Sequence, residues 1–423
     1  VTRAPALWPF FLAPASHGDD NLCLASAHGV RLRLADGRTL LDGTSGLWNT
    51  NLGYGNEAIA EASAAALRDA SYLNTFRFES VWARRAAEAL VEATGGRFAR
   101  ALFSTSGGAA NDLVMKLARH YQVLRGQERR QVVVGLTGSY HGLTYGSFSL
   151  TGEDLGQRLY GVDQRMVRHV APNDVAALEA LLARQGDRIA AVVVEPLLGT
   201  GAIPLAEEFV AKLVAGRDEH GYLLVADEVA TGFGRTGRLF ASESWPGSPD
   251  VLLTSKGLTN GTCAASAVLV SESVAREFHE RRAVLIHGET QAGTPVAAAA
   301  ISATLQEMTR LDAVAAGRGV ASLLDAGIAD LLATVPAVAA TRGTGCFRAV
   351  VVRGDDGALL PADRVGDLVA AVRRAGVVVH PGIDGVQLVP ALTSTPADIA
   401  ELFAALRAGL DELAHQATGA EAA

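Results

Sequence analysis

From about residue 100 the chain alternates short, almost wholly apolar runs with longer stretches of helical periodicity, and this alternation constrains the fold more than any other feature. The apolar runs are Ala101–Ser104, Gln131–Leu136, Ile189–Val194, Tyr222–Ala226, Val251–Thr254 and Ala265–Val270. Between them lie helical stretches such as Asn111–Leu124, Val175–Gln185 and Glu207–Glu219. Strands that are apolar throughout are buried on both faces, and intervening helices supply the crossovers of a parallel sheet. The expected class is α/β, with a mostly parallel sheet covered by helices. Past Pro295 the pattern is helical through Val335. A smaller α+β section follows, with strands near Cys346–Val352, Val377–His380 and Val386–Val389 and a last helix from Ala397 to Leu413. There are no internal repeats and no long linkers.

Composition narrows the function classes. With 423 residues, 49% apolar and 19% charged, the chain can bury a large core. A net charge of −8 and the lack of a basic tract argue against nucleic acid and anionic membrane surfaces as partners. The three cysteines, Cys23, Cys263 and Cys346, are far apart and cannot pair off evenly, which fits a reducing cytoplasm. No H-E-x-x-H or His/Cys cluster suggests a metal site. The stretch Gln291–Gln306 is too short and polar to span a membrane. Leu7–Ala15, with Pro9 and Pro14 and little positive charge before it, reads as an ordered N-terminal arm rather than a signal-peptide core.

Only three of the 37 basic residues are lysines: Lys116, Lys212 and Lys256. None follows a glycine, so there is no P-loop, and none sits three residues after a serine. In open α/β sheets ligands bind at the carboxyl ends of the strands. After Ala101–Ser104 comes Thr105-Ser106-Gly107-Gly108-Ala109, entering a helix. Small residues there let backbone N–H groups reach an anion such as phosphate; an ordinary Ser/Gly helix cap is the plainer reading. After Tyr222–Ala226 come Asp227 and Glu228, suited to hold a cation. The nearby Gly232-x-Gly234-x-x-Gly237 has the spacing of a dinucleotide loop, but the acids precede it and no helical pattern follows. After Val251–Thr254 comes Lys256. A lysine closing a buried strand is either an exposed strand-end charge or a desolvated amine with a lowered pKa, a nucleophile toward carbonyls. Anion cradle, strand-end aspartate and strand-end lysine together are the parts needed to hold pyridoxal phosphate.

These residues resemble the class III aminotransferases, pyridoxal-phosphate enzymes of fold type I. The resemblance covers nearly the whole chain. It runs through Leu41–Trp48 with Leu52-Gly53-Tyr54-Gly55, Tyr140-His141-Gly142, Glu195-Pro196, Asp227–Gly237, Ser255–Gly261, and His287-Gly288-Glu289-Thr290 with Gly293 and Pro295. It implies a large domain with a mostly parallel seven-stranded sheet and a smaller α+β domain. The expected divisions are 1–55, an N-terminal arm and segment packing with the small domain; 56–310, the cofactor-binding domain; and 311–423, the small domain. It implies Lys256 as the Schiff-base lysine and proton shuttle, with Asp227 pairing with the pyridinium nitrogen. Tyr140 and Val229 would flank the ring, with His141 beside it. Ser106, Gly107 and Gly108 would hold the phosphate, and Thr290 would complete that site across a homodimer interface. Glu195 would orient groups near the ring. Each of these side chains could instead serve ordinary packing or capping.

Departures from the family pattern concern the substrate. Trp48 would line its pocket. Where the family carries a carboxylate-binding arginine, this chain has Gln387 or, in the amine-type register, His380. Neither can replace a bidentate guanidinium. Thr200 stands where many amino-acid-specific members have a gating glutamate, and Gly108-Ala109 replaces a hydroxyl residue and a glutamate. The expected reaction moves an amino group from a donor amine or amino acid to a ketone or aldehyde, with one substrate lacking an adjacent carboxylate. Such a substrate includes an amine or a ketone on a natural product, and there is some similarity to the branch that modifies ribosomally made peptides. An aminomutase or racemase of the same fold stays open, as does a non-catalytic cofactor-binding partner protein. A plain NAD enzyme rests only on the glycine pattern.

Overall fold

The computed structural model describes residues 5–354 and 356–420, with side chains of the last helix described to His415. The outermost residues of the first and last expected divisions, 1–4 and 421–423, lie outside these.

The six apolar runs, with one further strand, form a seven-stranded sheet. Its spatial order is Arg100–Ser104, Ser266–Val270, Val251–Thr254, Leu223–Asp227, Ile189–Val194, Val132–Leu136 and Val167–Val170. Only Ser266–Val270 runs against its neighbours. Ile189–Val194 is buried at every position, as a strand covered on both faces must be. The strand Val167–Val170, at the sheet edge, is not among the apolar runs. It is four residues long, and its half-buried Arg168 and His169 interrupt the pattern.

The helix Gly107–Leu124 lies on one face of this sheet and buries Ala110, Leu113, Val114, Leu117 and Ala118. Pro295 begins the helix Pro295–Arg310, where its missing N–H costs nothing. The buried alanines Ala297–Ala300 allow this helix to approach Glu57–Asp69 closely. Ala313–Thr334 follows and leads into a second sheet, ordered Val338–Thr344, Phe347–Val352, Gly385–Leu388 and His380–Pro381. Val338–Thr344 is likewise unmarked in the sequence, because its Ala, Thr, Arg and Gly residues leave a weak strand pattern.

The N-terminal segment forms a meander of Leu24–His28, Arg31–Leu34 and Thr39–Asp42. Val377–Val378 adds in parallel to the last strand, so the two ends of the chain share a sheet. Asp42 then fixes the turn that follows. One carboxylate oxygen accepts from the backbone N and hydroxyl of Thr44, the other from Gly46 N and the Tyr54 hydroxyl. The turn needs left-handed backbone at Gly46, Ser45 and Trp48, and it sets the Trp48 indole against Phe347 and His380 of the second sheet and beside Lys256.

Arg235 joins these parts. It is fully buried, donating from Nη1 to Pro390 O at 2.5 Å and from Nη2 to Asn51 Oδ1 at 2.6 Å. Asn51 in turn donates to Phe233 O at 2.8 Å. The glycine-rich loop Gly232–Gly237 is therefore a series of turns around this clamp, and no helix opens from it. R235A should destabilise the protein by about 3 kcal/mol, because it strands several buried acceptors. R235K, lacking the planar fork, should recover less than half of that loss. Scanning calorimetry of the three proteins checks both outcomes.

Candidate functional site

The strand Leu223–Asp227 ends in a carboxylate that is only 2% exposed. Three elements converge on it. Asn111, on the buried face of the helix Gly107–Leu124, donates from Nδ2 to Asp227 Oδ2 at 2.9 Å. His141 Nδ1 lies 2.7 Å from the same oxygen, and Val229 N donates to Oδ1 at 3.1 Å. Burial alone would lower the His141 pKa, but the hydrogen bond and charge of Asp227 outweigh it and raise the pKa, so Nδ1 is the donor. His141 Nε2 and Asn111 Oδ1 are buried without a protein partner. The sequence motifs do not single out Asn111. The available signal was a polar residue one helical turn after Gly107, on the face that packs against the sheet.

Lys256 follows the strand Val251–Thr254 with φ of 46°, a left-handed conformation unusual for lysine. Close packing holds it there: a Cβ on the next residue, Gly257, would lie 2.9 Å from Asn51 Nδ2. The ammonium sits 4.3 Å from the Trp48 ring centroid. Burial lowers its pKa to about 8, against the opposing charges of Glu195 and Asp227. Glu195 is itself buried, and desolvation raises its pKa to about 7. It accepts from Tyr140 N through Oε1 and from Gly199 N through Oε2, both at 2.9 Å.

Trp48 forms one wall of the pocket. A Cβ on Gly199 would come within 2.9 Å of its ring, and the rings of Phe347 and His380 lie 4.8 and 4.9 Å away. His380 and Gln387 face each other across two paired strands. Gln387 is buried and donates its amide to Gly199 O at 2.7 Å. His380 Nδ1 lies 2.7 Å from Pro381 O. Burial and then the charge of Lys256 lower the His380 pKa, leaving a neutral imidazole despite its hydrogen bonds.

Ser106 caps the helix Gly107–Leu124 by accepting from Ala109 N at 3.2 Å. A Cβ on Gly107 would lie 3.1 Å from the Val229 side chain, and one on Gly108 would lie 3.3 Å from Ser147 Oγ. The helix thus presents glycine N–H groups at its positive end with little room for side chains. Tyr140 is 38% exposed, and Val229 is half-buried against Gly107. The structure therefore gathers Trp48, Tyr140, Glu195, Lys256, His380 and Gln387 around the loop 195–199. Asn111, His141 and Asp227 stand at the ends of the neighbouring elements. Thr290 is exposed, while its neighbour Glu289 accepts from the Ser104 and Thr105 hydroxyls and from Thr105 N.

This arrangement fits pyridoxal phosphate. The glycine cradle suits a phosphate, the buried Asp227 suits a protonated ring nitrogen, and the desolvated Lys256 amine suits an aldehyde. The family model described as aminotransferase class-III matches residues 14–410. The chain is 33% identical to acetylornithine aminotransferase of Mycolicibacterium smegmatis, over 94% of this chain and 96% of that protein. It is 32% identical to adenosylmethionine-8-amino-7-oxononanoate aminotransferase of Synechococcus elongatus, over 97% and 99%. The crystal structure of an amine transaminase from an uncultivated Pseudomonas species, in a PLP-bound form, superimposes with a TM-score of 0.91. It is 29% identical and covers 96% of this chain and 99% of that one.

The lowered Lys256 pKa gives a direct expectation. Only the neutral amine attacks a carbonyl, and a depressed pKa makes that form available at lower pH. Capture of pyridoxal phosphate by the cofactor-free protein should therefore accelerate with pH and level off above about 8. Stopped-flow absorbance measures this; a midpoint near that of an ordinary lysine would show that burial does not tune the amine.

Proposed function

Because the chain belongs to the class III aminotransferases, we propose that it moves an amino group from an amine or amino-acid donor to a ketone or aldehyde, one of the two substrates lacking a carboxylate beside its reacting carbon. Membership makes it a pyridoxal-phosphate-dependent transaminase of fold type I.

When bound, the cofactor supplies an electron sink for the carbon that carries the amine. Asp227 would pair with the ring nitrogen, and Asn111 and His141 would hold its carboxylate in line. Ser106, Gly107 and Gly108 would hold the phosphate, with Tyr140 and Val229 against the ring faces. Lys256 Nζ, neutral at moderately alkaline pH, would take the proton from the substrate carbon and deliver it to the carbon that bears the cofactor's aldehyde. Trp48 covers that amine and limits water, and Glu195 holds the Tyr140 and Gly199 segments in place. We assign a cytoplasmic homodimer in which Thr290 reaches the partner's phosphate site. The exposed apolar side chains Phe76, Phe78, Val284 and Ile286 support such an interface.

The observation that carries the substrate reading is the state of His380 and Gln387. Gln387 spends its amide on Gly199 O, and His380 is neutral, so neither offers a charged fork to a carboxylate. The names of the relatives point to different substrates and select none. A simple amine, or a ketone carried on a larger natural product or peptide, suits this pocket.

Purified holoenzyme should be yellow, and borohydride should fix the cofactor to Lys256. K256A should lose at least about a thousandfold in the half-reaction with amines, read as bleaching of the cofactor absorbance. H380R should improve use of pyruvate relative to an uncharged ketone by about tenfold. Q387R should not, because its guanidinium would be forced into the space that now bonds Gly199. Equal responses of the two variants would overturn the carboxylate argument.

A further inference from the structure

One carboxylate near the pocket has no part in holding the cofactor. Glu153 lies in the loop after the helix Tyr145–Leu150. Its backbone is fixed on both sides: its N donates to Ser139 O at 3.1 Å, and its O accepts from Gln157 Nε2 at 2.7 Å. Its side chain reaches across to the loop that follows Glu195, where Oε2 accepts from the Thr200 hydroxyl at 3.0 Å. Thr200 adjoins Gly199, the residue packed between Trp48 and Glu195. Glu153 also acts on the Tyr140 phenol, whose pKa is raised by burial first and by the Glu153 charge second. Glu153 thus stands at the rim of the pocket, one residue outward from the Trp48 wall and beside Tyr140.

No cation neutralises it among the described residues. Glu153 makes no ion pair there, and its Oε1 takes no bond from them. Arg342, on the strand Val338–Thr344, donates from Nε to Gly201 O of this loop at 2.9 Å, but it is already paired with Asp384. Other polar groups beside this loop are uncharged: the amide of Gln387, which donates to Gly199 O, and the imidazole of His380, whose pKa burial lowers. The rim therefore carries an oriented, unpaired negative charge, half removed from water, where its field on a ligand is stronger than in bulk solvent.

We propose that Glu153 is a specificity-determining residue that selects amine substrates bearing a second cationic group several bonds from the reacting amine, such as diamines. This rests on the transaminase reading above and narrows its substrate class. The Glu153 carboxylate attracts the distal ammonium and repels the distal carboxylate of an ω-amino acid. The Thr200 hydroxyl aims the carboxylate and keeps it from folding back onto its own loop.

The test compares wild-type holoenzyme with E153Q, which is isosteric and still accepts from Thr200. The ratio of kcat/KM for 1,5-diaminopentane to that for 1-aminopentane should fall by about tenfold in E153Q. E153R should shift preference from the diamine toward 6-aminohexanoate. Calorimetry with N,N,N′,N′-tetramethyl-1,5-diaminopentane, which cannot be transaminated, should show binding weakened by a similar factor in E153Q. Unchanged binding in E153Q would overturn the proposal and make Glu153 only a tie between two loops. The binding result decides even if wild type turns over neither amine. That failure would strike the proposed reaction with amines, whereas the role of Glu153 stands or falls on the calorimetry alone.

Discussion

The site is organised by a single buried carboxylate, that of Asp227. A charge at the end of a central strand is costly to desolvate, and it persists only where donors surround it. Here the donors come from three separate segments: Asn111 from a helix, His141 from the turn after Val132–Leu136, and Val229 from the residues just beyond the strand. Satisfying one charge therefore fixes the relative positions of the glycine cradle, of the Tyr140 segment and of the Val229 side chain. Removing any donor would leave buried charge uncompensated, so the arrangement holds as a unit.

The substrate wall is built from the other end of the chain by similar means. Asp42 holds a strained turn that carries Trp48, and Arg235 locks Asn51 and Pro390 to the loop 232–237. Several residues around the pocket adopt left-handed backbone without being glycine: Ser45 at φ 50°, Trp48 at 63°, Lys256 at 46° and Asn260 at 49°. Each costs of order 1 kcal/mol, and neighbours must hold it in place. Asn260 shows how: its side chain accepts from Leu52 N and donates to Gly53 O, both at 2.8 Å. Strain is concentrated where side chains must be aimed, and the hydrogen bonds that retain it cross from the N-terminal segment to the large sheet.

The two kinds of wall are unequally legible in the sequence. Strands such as Ile189–Val194 and the strand-end residues Asp227 and Lys256 can be read directly, because complete burial leaves an apolar run and makes a terminal charge conspicuous. Val167–Val170 and Val338–Thr344 cannot, since an edge strand and a half-exposed hairpin carry polar residues. The N-terminal meander is hidden for a related reason: Leu24–His28 exposes most of its residues. Asn111 and Glu153 are polar residues whose partners lie 116 and 47 positions away. Nothing local marks such residues, and only the folded arrangement reveals what they face. The substitutions at His380 and Gln387 are visible, but not their difference: the amide is committed to Gly199 across the pocket wall, whereas the imidazole bonds its own neighbour Pro381 and packs on Trp48.

Lys256 and Glu195 explain how such a pocket can handle protons without a large electrostatic penalty. Burial drives the acid up to about 7 and the amine down to about 8, so their ranges approach each other from opposite sides. A buried ion pair gains little over a neutral acid beside a neutral amine, because desolvation offsets most of the attraction. Both shifts are what desolvation imposes on an acid and an amine buried in the same pocket. In the proposed role, an amine with its pKa lowered in this way would accept a proton from a substrate carbon and release it again near that pH. A carboxylate paired directly with the amine would hold the proton on it and disable it as a base. A wetter pocket would restore the ordinary lysine pKa with the same result. The Trp48 indole above the amine and the two backbone donors on Glu195 keep the site between these limits, and arginine could not replace lysine in it, because a guanidinium does not deprotonate in this range.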